Sequence, residues 1–219
     1  MNKFVLKIKE RVLFAMINLK LFLKSIFAWN KVDIDENNKI EWYGKIKNAR
    51  FRVKGEKNEI YFGRNSVIKN SKISIRGKNN RIIFDDNCAV RRMIVKFEGN
   101  NSVLRIGKNT TIEGIKIWMG EGKIEIGDNC ILAYEIEMRN TDNHSIFFNG
   151  IKINPNKDIR IEDFVWIGAR VMILKGSKVG KGSIVGAGSI VSGKFGENII
   201  LAGNPAKKNK RKYKMGKVN

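Results

Sequence analysis

Aliphatic residues recur every six positions from residue 161 to 191, at Ile161, Ile167, Ile173, Val179, Val185 and Val191. A helix repeats its apolar face about every 3.6 residues and a strand every second residue, so an unbroken sixfold register demands a different backbone path. A triangular β-solenoid supplies one: each hexad makes a short strand and a corner, and its aliphatic residue points into a narrow core that neighbouring coils continue. Small residues suit the tight places. Gly168, Gly180 and Gly186 follow the aliphatic residue, and Val171, Ser177, Ser183 and Ser189 stand four places after it.

Earlier in the chain a looser version of the pattern repeats. Phe62-Gly63-Arg64-Asn65-Ser66, Phe84-Asp85-Asp86-Asn87-Cys88, Ile106-Gly107-Lys108-Asn109-Thr110 and Ile126-Gly127-Asp128-Asn129-Cys130 share one template at spacings of 22, 22 and 20. A plain coil of three hexads takes 18 residues, so the early coils are expected to carry extra residues at a corner. Short alternating segments such as Glu59 to Phe62 and Lys123 to Ile126 read as strands, and Asn and Gly at the corners supply left-handed backbone conformations. The pattern predicts one solenoid over residues 40–206, in roughly eight coils.

Residues 1–39 read differently. Val5, Ile8, Val12, Ala15, Leu19, Phe22 and Ile26 step by three and four, as on one side of an amphipathic α-helix, with Lys7, Arg11, Lys20 and Lys24 opposite. Its longest uncharged run is far short of the ~20 residues that cross a bilayer. Lys20 and Lys24 also interrupt the apolar region of any signal peptide. Two readings stay open: a cap on the solenoid or on another subunit, and an in-plane helix on an anionic membrane surface. The expected location is the cytoplasm, in the second reading on the inner face of the membrane. Residues 207–219 form a basic C-terminal tail.

The hexads, followed by Ala202-Gly203-Asn204-Pro205-Ala206, resemble the hexapeptide-repeat acyltransferases. That resemblance implies an all-β, left-handed parallel β-helix, transfer of an acetyl group from acetyl-CoA without a metal, and homotrimers with sites between neighbouring subunits. The repeat is interrupted once, over residues 139–160, and the interruption holds the chain's one histidine, His144. A thioester is already activated, so acyl transfer to a hydroxyl chiefly needs a base, and imidazole suits that task near neutral pH. Taken alone, a loop histidine is ordinarily a solvated surface residue. In the sugar acetyltransferases that the chain resembles, however, the catalytic histidine occupies such an interruption, and His144 matches it.

Asp142 is the candidate to orient the imidazole, with a local turn-stabilising role as the alternative. By the same resemblance Trp166, Ala169, Ala187, Ser192 and Lys194 line the coenzyme A surface. Lys194 lies one place beyond the lysine of the usual Thr-Lys pair. Lys207 and Lys208 are candidates for the nucleotide phosphates. Glu113 and Arg139 are the candidate acceptor contacts, and Glu113 stands where galactoside acetyltransferases carry Asn, which weighs against a galactoside.

Composition narrows the acceptor. The net charge is +22, from 43 Lys and Arg against 21 Asp and Glu, which favours an anionic partner. No nucleic-acid-binding motif is present. A γ-type carbonic anhydrase shares the solenoid but needs three histidines for zinc, and one is present. The two cysteines, Cys88 and Cys130, fall at the small-residue place of the template and read as buried apolar residues. The pattern Asp142-x-His144-Ser145-Ile146 looks most like O-acetyltransferases of bacterial capsule, lipopolysaccharide or sialic-acid polymers. An amino-sugar N-acetyltransferase and a non-catalytic solenoid scaffold are the alternatives.

Overall fold

The computed structural model describes residues 30–209, and the helix expected near the N-terminus lies outside the described residues. Those residues form a parallel β-solenoid with three faces, each visited once per coil. Face A carries eight strands, from Lys31–Ile34 through Arg50–Glu56, Lys72–Lys78, Met93–Glu98, Ile115–Met119, Ile136–Arg139 and Met172–Leu174 to Ile190–Val191. Face B runs from Lys39–Trp42 to Lys194–Phe195 and also has eight. Face C runs from Lys45–Lys47 to Ile200–Ala202, and Lys207–Lys208 adds an antiparallel ninth strand at its end.

The hexad aliphatics do what the sixfold period requires. Ile161, Ile167, Ile173, Val179, Val185 and Val191 are each at most 1% exposed. They stack in register with the coils above and below, as in the column Ile126, Ile161, Val179 and Phe195. Larger side chains fill the wider N-terminal coils, where Phe62 and Phe84 stack at 4.9 Å between ring centroids. Burying such side chains supplies about 1.5–3 kcal/mol each relative to exposure.

The extra residues of the 22-residue coils do not sit at a corner alone. They lengthen face A, where Arg50–Glu56 and Lys72–Lys78 are seven residues long against three in Met172–Leu174. These long strands close on a corner built by a buried asparagine ladder. Asn58 Nδ2 donates to Asn38 Oδ1 at 2.8 Å and to the Gly77 carbonyl at 2.9 Å, and Asn80 Nδ2 repeats both contacts with Asn58 and Gly99. Stacked amides thus satisfy one another where a lone buried amide would be costly. The solenoid also starts earlier than residue 40, because Lys31–Ile34 pairs with Arg50–Val53 and its Val32 and Ile34 pack against the core.

The template asparagines Asn65, Asn87, Asn109 and Asn129 all adopt positive φ, between 56° and 59°. In the next coil that place is taken by Phe164, at φ 57° and exposed. A bulky residue pays about 1–2 kcal/mol for this conformation, and Asn pays less. Phe164→Asn is therefore expected to raise the unfolding free energy by about 1 kcal/mol, read as a higher denaturant midpoint with unchanged slope.

Candidate active site

Residues 140–158 leave the solenoid at the corner between faces A and B, after Arg139, and rejoin it at Ile159 on face B. The stack closes beneath the excursion. Met138 pairs with Ile173, and Ile126 pairs with Ile161, so the coils stay in register. The root is fixed by Asn140, which is fully buried; its Oδ1 accepts from the Gly120 amide at 2.9 Å, and its carbonyl accepts from the Lys157 amide at 3.1 Å.

His144 is exposed near the start of this loop, and among the described residues no hydrogen bond reaches its imidazole. Asp142 does not orient the ring. Its Oδ2 instead accepts from Lys175 Nζ and, at 2.9 Å, from Asn154 Nδ2. Asn154 Nδ2 also donates to the His144 carbonyl at 2.7 Å, and Asn154 Oδ1 accepts from the Ile146 amide at 2.6 Å. Asp142 therefore fixes the backbone that carries the histidine. The physical reason is charge: an exposed carboxylate beside a lysine ammonium takes the stronger, charge-assisted bond.

The Lys175 bond, followed by that from Asn154, holds the Asp142 carboxyl below its ordinary pKa. A depressed carboxylate contributes stability above its unfolded pKa and loses it as pH falls through the folded one. The tether is thus complete at neutral pH and is released only below the ordinary carboxylate range. In Lys175→Met, the Asp142 carboxyl is expected to titrate at higher pH than in the native chain, measured by carboxyl carbon NMR.

Beyond the tether the loop forms a hairpin. Phe147–Phe148 pairs antiparallel with Ile151–Lys152 across Asn149 and Gly150, both at positive φ as a tight two-residue turn requires. Ile146, Phe147, Phe148, Ile151 and Ile153 are all more than half exposed. A lone hairpin is marginal in water, and an apolar patch of this kind marks a contact surface.

The other predicted site residues do not share one surface. Trp166 is 47% exposed on face C, in a column with Ile131, Ile184 and Ile200. Ala169 and Ala187 stand at the corner between faces C and A, where the Ala169 carbonyl accepts from the Gly188 amide at 2.8 Å. Lys207 and Lys208 extend face C and so begin as a strand, not as tail. Ser192 lies at the A/B corner and Lys194 starts a face B strand, on the His144 side of the molecule. The divergence is geometric: one hexad turns the chain by one face, so residues a hexad apart point in different directions.

Glu113 follows face C at the C/A corner, held by Arg91 at 3.0 Å and Arg92 at 3.5 Å. Arg139 ends the face A strand from which the loop springs; it bonds Glu137, and its guanidinium stands 5.3 Å from the centre of the Trp118 ring. Both cysteines are free and buried, and burial raises the thiols to about 12 for Cys88 and about 11 for Cys130, so neither supplies a thiolate nucleophile.

Asn154, Lys175 and the hairpin were not singled out by pattern. The dipeptide Asn149-Gly150 between apolar pairs is a hairpin signal. Nothing in the sequence marks Lys175, which meets Asp142 only because the coils stack.

The family pattern of bacterial transferase hexapeptide repeats (six repeats) matches residues 158–193. The chain is 47% identical over 76 residues to a polysialic acid O-acetyltransferase of Neisseria meningitidis, across 33% of this chain and 35% of that protein. It is 42% identical over 109 residues to a polysialic acid O-acetyltransferase of Escherichia coli O1:K1 / APEC, across 48% of this chain and 36% of the relative. The aligned stretches thus span about a third of these curated relatives' length. Solved structures align more fully. The polysialic acid O-acetyltransferase OatWY superposes with a TM-score of 0.80 at 31% identity, covering 87% of this chain and 92% of that one. The polySia-specific acetyltransferase NeuO gives a TM-score of 0.59 at 30% identity, over 87% and 90%.

Proposed function

The chain belongs to the hexapeptide-repeat acetyltransferases, and from that premise we propose that it moves an acetyl group from acetyl-CoA to a hydroxyl of an acidic bacterial polysaccharide. The observation that carries this reading is the single excursion from a continuous stack, which presents the one histidine exposed and, among the described residues, without a competing partner on its ring. The imidazole takes the proton of the acceptor hydroxyl as that oxygen attacks the thioester carbonyl. The carbon–sulfur bond then breaks, and the imidazolium returns the proton to the departing thiolate, giving free coenzyme A and the acetyl ester.

One chain carries the parts of such a site on different sides. His144, Ser192 and Lys194 lie by the A/B corner, while Trp166 and its aliphatic column lie on face C with Ala169 and Ala187 at its edge. A homotrimer in which the hairpin of one chain packs against face C of the next joins them. It would also cover the apolar hairpin and the apolar end of face C, including Ile131, Tyr134 and Trp166, all over 40% exposed. In this arrangement the aliphatic column flanks the pantetheine arm, and Lys207 and Lys208 offer cations to the nucleotide phosphates.

Acceptor charge is tested by comparing acidic and neutral oligosaccharides. At low salt, kcat/KM is expected to be at least about tenfold higher for the acidic series, and the advantage should shrink as salt is raised. Equal rates on both series at low salt would remove the acidic acceptor from the proposal.

A further inference from the structure

We propose that the outer surface of face A is a binding track for an extended acidic glycan, running along the solenoid axis to the foot of the His144 loop. The inference rests on the acetyl-transfer reading for what happens at the end of the track, and on geometry for the track itself. Strand alternation sends Phe51, Val53, Ile73, Ile75, Val95 and Phe97 inward. The outward places are filled largely by cations, and stacking aligns them in rows. Arg50 stands beside Lys72, and Lys54 beside Arg76. In the neighbouring row Arg52, Ser74, Lys96, Trp118 and Arg139 follow one another on successive strands.

Adjacent strands are about 4.8 Å apart, so directly neighbouring like charges destabilise the bare sheet. Part of this charge is neutralised on face A itself, where Arg52 and Lys54 pair with Asp33, Lys78 with Glu56 and Arg139 with Glu137. On face B, Arg81 pairs with Glu59, Arg105 with Asp85 and Asp128, and Lys178 with Glu162. On face A, Arg50, Lys72, Arg76, Lys96 and Lys116 have no carboxylate partner among the described residues. Cations left unpaired on face A in excess of its carboxylates, Glu98 beside Arg76 and Glu137 beside Lys116 included, indicate an anion supplied from outside.

Trp118 gives the track a sugar-binding element. Its ring is flanked by Lys96 Nζ, 4.6 Å from the ring centre, and by the Arg139 guanidinium at 5.3 Å. Its indole nitrogen is buried and has no hydrogen-bond partner among the described residues. An aromatic ring set between two cations matches a sugar ring that bears a carboxylate. The row then reaches Arg139, and the next residue, Asn140, roots the loop that carries His144. From the Arg50 strand to the Arg139 strand is four steps, roughly 19 Å at about 4.8 Å each. Such a track holds several sugar units of one polymer and favours long acceptors over short ones.

The test uses the full chain and polysialic acid of graded length. In the native chain kcat/KM is expected to climb with acceptor length until the track is filled. In R50Q/K72Q/K96Q the long-to-short ratio should fall at least tenfold, and the salt dependence of polysialic acid affinity should weaken. The charge-keeping variant R50K/K72R/K96R should retain both, which separates lost charge from lost fold. A native length preference in the glutamine variant would overturn the track. So would unchanged polysialic acid affinity combined with lost binding to anionic lipid vesicles, because face A would then serve a membrane. If no acidic glycan is acetylated, the acetyl-transfer reading fails on its own, and the affinity measurements still decide the track.

Discussion

Replacing His144 with alanine is expected to lower kcat by about 100- to 10,000-fold while KM for acetyl-CoA changes little. The loss falls on kcat if, as proposed, the imidazole acts in proton transfer and acetyl-CoA lies along face C, which contains no part of it. Folding should be untouched, since the side chain is exposed and accepts or donates no hydrogen bond within the described residues. The tether to Asn154 runs through the His144 carbonyl, which alanine keeps. His144→Ala with native melting temperature and native turnover would therefore remove the histidine from the chemistry.

The second large effect concerns assembly. Phe148→Asp combined with Ile151→Asp places two carboxylates on opposite strands of the apolar hairpin, at residues 66% and 69% exposed. In a single chain these substitutions touch water, and their facing charges weaken only the hairpin itself. In a trimer they would bury unpaired charge at the contact with the next chain, at a cost of several kcal/mol per ion. The expected result is a single-chain mass by analytical ultracentrifugation, an unchanged circular dichroism spectrum, and acetyl transfer lost together with the assembly. A variant that stays assembled and active would show that the hairpin does not bind a neighbouring chain.

The fold was legible because the hexads report directly on burial: each aliphatic at the sixfold place from Ile161 to Val191 is in the core. Register between coils was legible in the repeated Gly/Asp-x-Asn corner, whose asparagines take the left-handed conformation. What pattern alone did not reveal depends on stacking across many residues. Lys175 reaches Asp142 from 33 residues away, and the Asn38, Asn58 and Asn80 ladder links places about 20 apart. The cationic rows of face A look like scattered lysines and arginines in the sequence, and they become rows only when strands 22 residues apart lie side by side. Sequence proximity likewise does not show that Lys175 competes for the Asp142 carboxylate.

These relations place different demands on the loop and the solenoid. The solenoid supplies periodic surfaces, and the loop presents one exposed histidine whose backbone is held in place. The strained corner at Phe164 shows that the regular template is not kept everywhere, even where Asn would fit at lower conformational cost.

The most direct measurement incubates the full chain with acetyl-CoA and polysialic acid, and follows thiol release and polymer mass together. One free thiol is expected for each acetyl ester gained, with both signals nearly abolished in His144→Ala. Thiol release without ester formation, or undiminished ester formation in the variant, would contradict the proposed transfer.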